Sequence, residues 1–433
     1  MFDFPGQAPS LTALRARIAA RAGQIASLRY RVEMRSRKAC TDDHFDPDEH
    51  VFELAVTSAE ALDAARRQML TRPLPEGRPP WDVWLIRNAR ESFTVCFRSD
   101  HALRDGMAAA YLCRQLIEDQ PHHSRLPAPS ARVGLRGIAA VLGESARAMR
   151  STSPTPALAG AEAGAQGPFH ADVPMAVLRD AARAHGATVN DVYLAALSEA
   201  VRRWYGERTG RGHPPMPVTM PLSARGPVMA AAVGNALVGT RITLPCDRSR
   251  NVVETLDTVA AQTRRLREIN YRHCARLVLG VLPRGLGARL TLRVAGAGPV
   301  GLLASNLDCG PVLTHFGVTA RQAQMLSSLA DGLRCYTALT GYGDNARLSV
   351  VHDESLPAAP RLGEHWVAAV HELASLSSPP RHPPGEGPEE GKRVSSDTKP
   401  PHASPGSGSG SGVGPEPYGV PHPEPDRSLR RRT

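Results

Sequence analysis

The chain lacks any run of about 20 uncharged apolar residues, the length a helix needs to cross a bilayer. No spanning helix is therefore expected, and any contact with lipid would be made from the surface. The N-terminus has no basic stretch followed by an apolar core, so no signal peptide is expected. Seven cysteines are scattered over 433 residues, odd in number and never in a C-x-x-C pair. That excludes a disulfide framework and a cysteine zinc site, and it predicts a reduced, cytoplasmic protein. Aromatic residues make up only 5% of the chain, and no nucleic-acid-binding motif is present. The absence of a G-x-S-x-G elbow argues against a serine hydrolase.

Two suggestive patterns fail on inspection. Asp42 to His50 is rich in acids and histidine, but Pro47 stands where a calcium loop needs its central glycine, so a solvated loop is the better reading and no metal is expected. Gly296 to Gly301 fits G-x-G-x-x-G, but Pro299 interrupts it and an apolar strand-like run follows instead of a helix. No dinucleotide, and no cofactor, is expected there.

What is present reads as an α/β protein with two domains, since 433 residues exceed what one core usually supports and 42% hydrophobic content is ample for burial. Residues 11–37 read as helix then strand. Residues 51–120 read as strand, helix, strand, strand, motif, helix. The Pro-, Ala-, Gly- and Ser-rich stretch 121–169, with one helix over 131–150, reads as the crossover between halves. A helix near 173–185 breaks at Gly186. Thr188 then caps a helix with Val192, Tyr193, Ala196, Leu197, Ala200, Val201 and Trp204 on one face. Strands follow near 216–222 and 236–244, a helix near 249–268, strands near 301–307, 333–339 and 346–352, and a last helix over 361–377. This gives domains at 1–130 and 171–377, joined by 131–170. Residues 378–433, dominated by Pro, Gly, Ser and mixed charge, cannot bury enough apolar surface to fold and are expected to be a disordered tail. Its terminal Arg430-Arg431-Arg432 is a basic cluster suited to anionic lipid.

The most informative residues are Asp100-His101-Ala102-Leu103-Arg104-Asp105-Gly106. They follow an alternating run, with Phe93, Val95 and Phe97 on one face, and precede a helical run from Met107 to about Ile117. A histidine thus stands where a strand ends, and an aspartate where a helix begins. A strand end holds an imidazole firmly, and neutral imidazole is a good base near pH 7. The arrangement suits acyl transfer, in which a hydroxyl or amine attacks a thioester carbonyl and its proton must be taken.

Other segments carry a resemblance. FDPDEHV at Phe45–Val51, RPLPEGRPPWDVWLI at Arg72–Ile86 with Pro80-Trp81, GATVNDVYLAAL at Gly186–Leu197 with Asn190-Asp191, PLSAR at 221–225 followed by Gly234-Asn235, and Ser305-Asn306 occur in order. Together with DHALRDG they resemble the wax ester synthase/diacylglycerol acyltransferase family, whose motif around the base is HHxxxDG. The likeness runs from roughly Leu14 to His352. Asp100 replaces the first histidine, adding negative charge beside His101. Ser305 to Pro311 replaces the family's SNVPGP with an added residue and a charge. The stretch before the first family-like strand is also shorter than is usual in the family.

The resemblance implies an α/β (α+β) fold of two chloramphenicol acetyltransferase-like subdomains, as in condensation domains, with a tunnel between them. It implies transfer of a fatty acyl group from acyl-CoA, as co-substrate, to a lipid hydroxyl acceptor such as diacylglycerol or a long-chain alcohol. His101 would be the general base. Asp105 would fix the loop by pairing with an arginine, with Arg225 as candidate partner, and would also cap the helix. Gly106 and Arg225 are structural in this reading. Asn190 and Asn306 would bind substrate near the developing oxyanion, or serve as helix-start and turn residues. A carrier-protein-dependent transferase acting on a natural-product acceptor, and a degenerate lipid-binding scaffold, remain open alternatives. The formal net charge of +10, carried almost wholly by arginine, suits CoA phosphates and a peripheral membrane or lipid-droplet surface, though a solvated surface in an arginine-rich proteome accounts for most of it.

Overall fold

A computed structural model describes residues 1–33, 38–42, 46–88, 91–121, 134–150, 155–226, 230–232, 234–247, 250–295 and 301–376. The expected tail, with Arg430–Arg432, and most of the Gly296–Gly301 motif lie outside the described residues. In chain order the elements begin with β1 (Phe2–Pro5), α1 (Leu11–Ala22), the paired β2 (Tyr30–Glu33) and β3 (Lys38–Thr41), and β4 (Val51–Val56). Next come α2 (Ala59–Thr71), β5 (Trp81–Asn88), β6 (Ser92–Ser99) and α3 (Gly106–Ile117). Then follow α4 (Leu135–Arg150), β7 (Gln166–Pro174), α5 (Met175–Ala184), α6 (Val189–Thr209), β8 (Met216–Ser223), β9 (Leu237–Leu244) and α7 (Val252–Glu268). The last are α8 (Tyr271–Val281), α9 (Arg284–Ala295), β10 (Leu302–Asp308), the two-residue strands β11 (Thr314–His315), β12 (Val318–Thr319) and β13 (Gln322–Ala323), then β14 (Cys335–Tyr342), β15 (Asn345–Asp353) and α10 (Arg361–Ser375).

Two mixed sheets organise these elements, both within one compact unit that spans Met1–Pro380. The first has strand order β13-β1-β6-β5-β4 and the second β7-β15-β14-β10-β8-β9. In the first sheet β5 and β6 are antiparallel neighbours, with Val83 opposite Phe97 and Leu85 opposite Val95. One face packs Val83, Leu85, Phe93 and Val95 against Leu14 and Ile18 of α1 and Leu112 and Leu116 of α3. The other packs Trp84, Ile86 and Cys96 against Ala65 and Met69 of α2. With both faces covered, β6 is held firmly and delivers its far end, at Ser99, to a fixed place.

The second sheet is filled by α6, from Val192 to Trp204, and by Trp366, Val370 and Leu373 of α10. Thr188 and Asp191 form a reciprocal capping box at the start of α6, and Gly210, at φ 68°, ends it in the left-handed conformation that glycine tolerates.

Three parts differ from the sequence reading. First, residues 166–174 are strand β7, not crossover, and the helix expected from 173 begins at Met175. Pro168 and Pro174 hid this strand. It lies at the sheet edge and, among the described residues, pairs only with β15, where prolines are tolerated. Second, Phe2–Pro5 is a strand inside the first sheet, between β6 and β13. Four residues ending in proline carry no usable period. Third, two helices, α8 and α9, fill 271–295.

One buried group gives the fold a definite acid response. His315 is fully buried beside Phe4, Phe93 and Phe316, and Nδ1 donates to Ile117 O at 2.7 Å. Burial pushes its pKa down to about 4, against 6.5 ordinarily. The unfolded chain therefore binds this proton more readily. Stability is fully present above about pH 6.5 and is lost as pH falls toward 4, by about 3 kcal/mol. Denaturant titrations of His315→Phe over that range are expected to show a decline smaller by about that amount. An unchanged decline would assign the acid response to other groups.

Candidate active site

The Asp100–Gly106 segment forms the turn between β6 and α3. Asp100 N–H donates to Pro80 O at 3.0 Å, and Asp100 Oδ1 accepts from Ala102 N–H at 2.7 Å. Trp81 is wholly buried, stacks on His50 at 4.4 Å between ring centroids, and donates its indole N–H to Leu28 O at 2.8 Å. This explains the Pro80-Trp81 motif: it anchors the start of β5 beside the turn. Arg104 is also buried and donates through Nη2 to Ser27 O at 2.5 Å. Burial pushes its pKa down to about 10, opposed by the nearby charge of Asp100.

Asp105 and Arg225 face one another with both side chains fully buried. Arg225 Nε lies 3.2 and 3.0 Å from the two carboxylate oxygens, and Nη2 lies 2.7 Å from Oδ2. The remaining acceptor capacity is also used: Oδ1 accepts from Ala108 N–H at 3.0 Å, the helix cap of α3, and Oδ2 from Ala236 N–H at 2.9 Å. Arg225 further donates to Ala232 O at 3.0 Å and Gly234 O at 2.6 Å. The ion pair is thus fully hydrogen-bonded, the condition under which a buried pair is tolerable.

The segment around Gly234 closes over the turn. Gly234 N–H donates to Leu103 O at 2.7 Å, with φ at 104°, a conformation that disfavours any side chain. Asn235 Nδ2 then reaches His101 Nδ1 at 3.2 Å. The other end of the same amide accepts from Leu237 N–H at 2.9 Å, which fixes its orientation. An amide nitrogen only donates, so Nδ1 is the accepting nitrogen and the neutral ring carries its proton on Nε2. His101 itself is exposed, able to meet a substrate.

Asn190 and Asn306 come together as well: Asn306 Nδ2 donates to Asn190 Oδ1 at 3.2 Å, joining α6 to β10. Asn190 Nδ2 also approaches Met220 Sδ at 3.8 Å. Among the described residues neither asparagine hydrogen-bonds His101. Gly106 is the first residue of α3, and a Cβ there would stand 3.5 Å from Met325 Cε, an ordinary contact. Neither space nor backbone angle requires glycine at 106. The residue the sequence reading left out of the site is Asn235. Its signal was the Gly234-Asn235 pair, whose purpose shows only when the loop folds onto His101.

An exposed histidine at a strand–helix turn, with a buried Asp105–Arg225 ion pair beneath it, is the geometry to compare with known proteins. The profile of the wax ester synthase/diacylglycerol acyltransferase catalytic domain matches residues 1–166. A Mycobacterium tuberculosis protein described as a probable diacylglycerol O-acyltransferase is 25% identical over 416 residues, covering 86% of this chain and 89% of that one. The fold is shared with the wax ester synthase/diacylglycerol acyltransferase from Marinobacter aquaeolei VT8, at TM-score 0.57 and 18% identity, over 87% of this chain and 93% of that one. It is shared equally with the first condensation domain of the calcium-dependent antibiotic synthetase, at TM-score 0.57 and 16% identity, over 88% and 91%. Over residues 1–166 the chain is thus similar to the wax ester synthase/diacylglycerol acyltransferase catalytic domain, and over most of its length it shares that family's fold.

Proposed function

We propose that this protein moves a fatty acyl group from a CoA thioester to the hydroxyl of diacylglycerol or a long-chain alcohol, giving triacylglycerol or a wax ester. The observation that carries this reading is the placement of His101: exposed, at the end of a rigid strand, with a protein amide on Nδ1 and a buried ion pair beneath its turn. In the reaction the acceptor oxygen attacks the thioester carbon while His101 takes the hydroxyl proton. The bare nitrogen is Nδ1, so the acceptor hydroxyl replaces the Asn235 amide there. The tetrahedral oxyanion collapses, the C–S bond breaks, and the CoA sulfur recovers the proton from the imidazolium. No covalent enzyme intermediate is required. Asp105 and Arg225 act as positioning residues. Asn190 and Asn306, on neighbouring elements, are placed in this reading on the substrate side and supply amide dipoles to the developing oxyanion. Acyl-CoA is a co-substrate, no other cofactor enters, and the protein works from the cytoplasmic side at a lipid surface.

The test is a mass-spectrometric screen of purified protein with mixed acyl-CoAs, diacylglycerol and long-chain alcohols. Ester products are expected. Ester formation only from acyl-carrier protein would move the enzyme to the condensation type, and no product from either donor would leave a binding scaffold.

Asn235 offers a narrower check. Asn235→Ala removes one hydrogen bond of about 1 kcal/mol that the acceptor hydroxyl must displace, so KM for the acceptor alcohol is expected to fall ~5-fold with kcat, KM for acyl-CoA and melting behaviour little changed. A rise in KM for the acceptor would place Asn235 in substrate binding instead.

A further inference from the structure

Helices α4, α8 and α9 share one surface. They are fastened to β9 by its own groups: Tyr271 OH donates to Gly239 O at 3.1 Å, and Arg241 donates to Ala148 O at 2.7 Å and Arg293 O at 3.1 Å. Their inner faces are buried through Val141, Ser145 and Ala148 of α4 and Tyr271, Cys274 and Ala275 of α8. Their outer faces are unusually apolar. Of seven large hydrophobic residues exposed among the described residues, five lie here: Leu142 and Met149 on α4, Leu277 and Val281 on α8, and Leu286 on α9. Spacings of seven on α4 and four on α8 put each pair on a single helical face. Val281 is 82% exposed, which no folding requirement explains.

The charge on these helices is predominantly positive. Residues 271–295 contain five arginines and no aspartate or glutamate. Arg289 and Arg293 are exposed and follow Leu286 by three and seven residues, so they line the same side of α9. On α4 the single acid, Glu144, is already paired with Arg147 and Arg265. An apolar face rimmed by arginine, the one acid of its helices already paired, is complementary to an anionic lipid surface, where apolar side chains enter the acyl boundary and guanidinium groups meet phosphate.

We infer that the α4–α8–α9 face docks the protein on an anionic membrane or lipid-body surface. This deepens the proposed function by assigning where the acceptor is drawn from, and it rests on that reading only for the acceptor's identity. Strand β9 links the face to the site. Its head follows Asn235, the partner of His101, and Gly239, which holds α8, lies four residues on, about 13 Å along an extended strand.

The experiment is flotation of the full chain with vesicles of phosphatidylcholine, alone or mixed with phosphatidylglycerol. Binding to the mixed vesicles is expected and should weaken at high salt. Arg289→Glu with Arg293→Glu, and separately Leu277→Ser with Val281→Ser, should each cut bound protein about tenfold or more. Both should keep their melting transition and their rate on a dispersed short-chain alcohol. If both variants float like the parent, or the parent binds neutral and anionic vesicles equally, the assignment of this face is overturned. If the parent floats as expected but esterifies no alcohol, the proposed function fails while the docking face stands.

Discussion

His101→Ala is expected to lower the acyl-transfer rate by ~10²–10⁴, the usual contribution of a positioned base. Its stability should hardly change. The ring is exposed, and its side-chain partner among the described residues is the single amide of Asn235 at 3.2 Å. The turn beneath it is held by other groups: Asp100 to Pro80 and Ala102, Arg104 to Ser27, and Asp105 to Arg225. Steady-state kinetics beside a melting curve makes the comparison. A variant that melts normally and turns over at near the parent rate would remove His101 from the mechanism.

Removing the carboxylate beneath the turn should do the opposite, costing stability and activity together. Asp105 accepts from Arg225, Ala108 and Ala236, and it shares complete burial with Arg225. Asp105→Ala leaves a guanidinium buried without its counter-charge, a loss on the order of 3–5 kcal/mol. Arg225→Ala strands the carboxylate at similar cost. The double variant should recover part of the loss, because neither charge is then left alone. Denaturant unfolding of the four proteins measures the coupling. If the two losses simply add, the pair is not an energetic unit, and Asp105 is a helix cap only. Activity should fall in each single variant, since the turn that aims His101 rests on this pair.

The first-sheet strands β4 to β6 and helix α3 were legible because their apolar residues repeat at strand or helix period and turn residues bound them. The box-capped α6 was legible for the same reason, from Thr188 and the stripe below it. Strands β1 and β7 were not legible. One is four residues long and the other carries two prolines, and each is a strand only because a neighbour supplies its hydrogen bonds. Helices α8 and α9 were hidden by Gly280, Pro283, Gly285 and Gly287, which read as breakers until β9 and α4 provide a surface to pack on.

The same division runs through the site. Local sequence determined that a histidine ends a strand and that an aspartate caps the next helix, because both follow from residues a few positions apart. The order of motifs carried the family likeness and the candidate Asp105–Arg225 partnership. Only the tertiary structure decided that Asn235 holds the imidazole and that Asn190 and Asn306 bond to one another instead of to His101. It alone decided that three separate helices, α4, α8 and α9, pack together on β9. The two asparagine contacts join residues 134 and 116 positions apart, across loops whose closure no local pattern encodes.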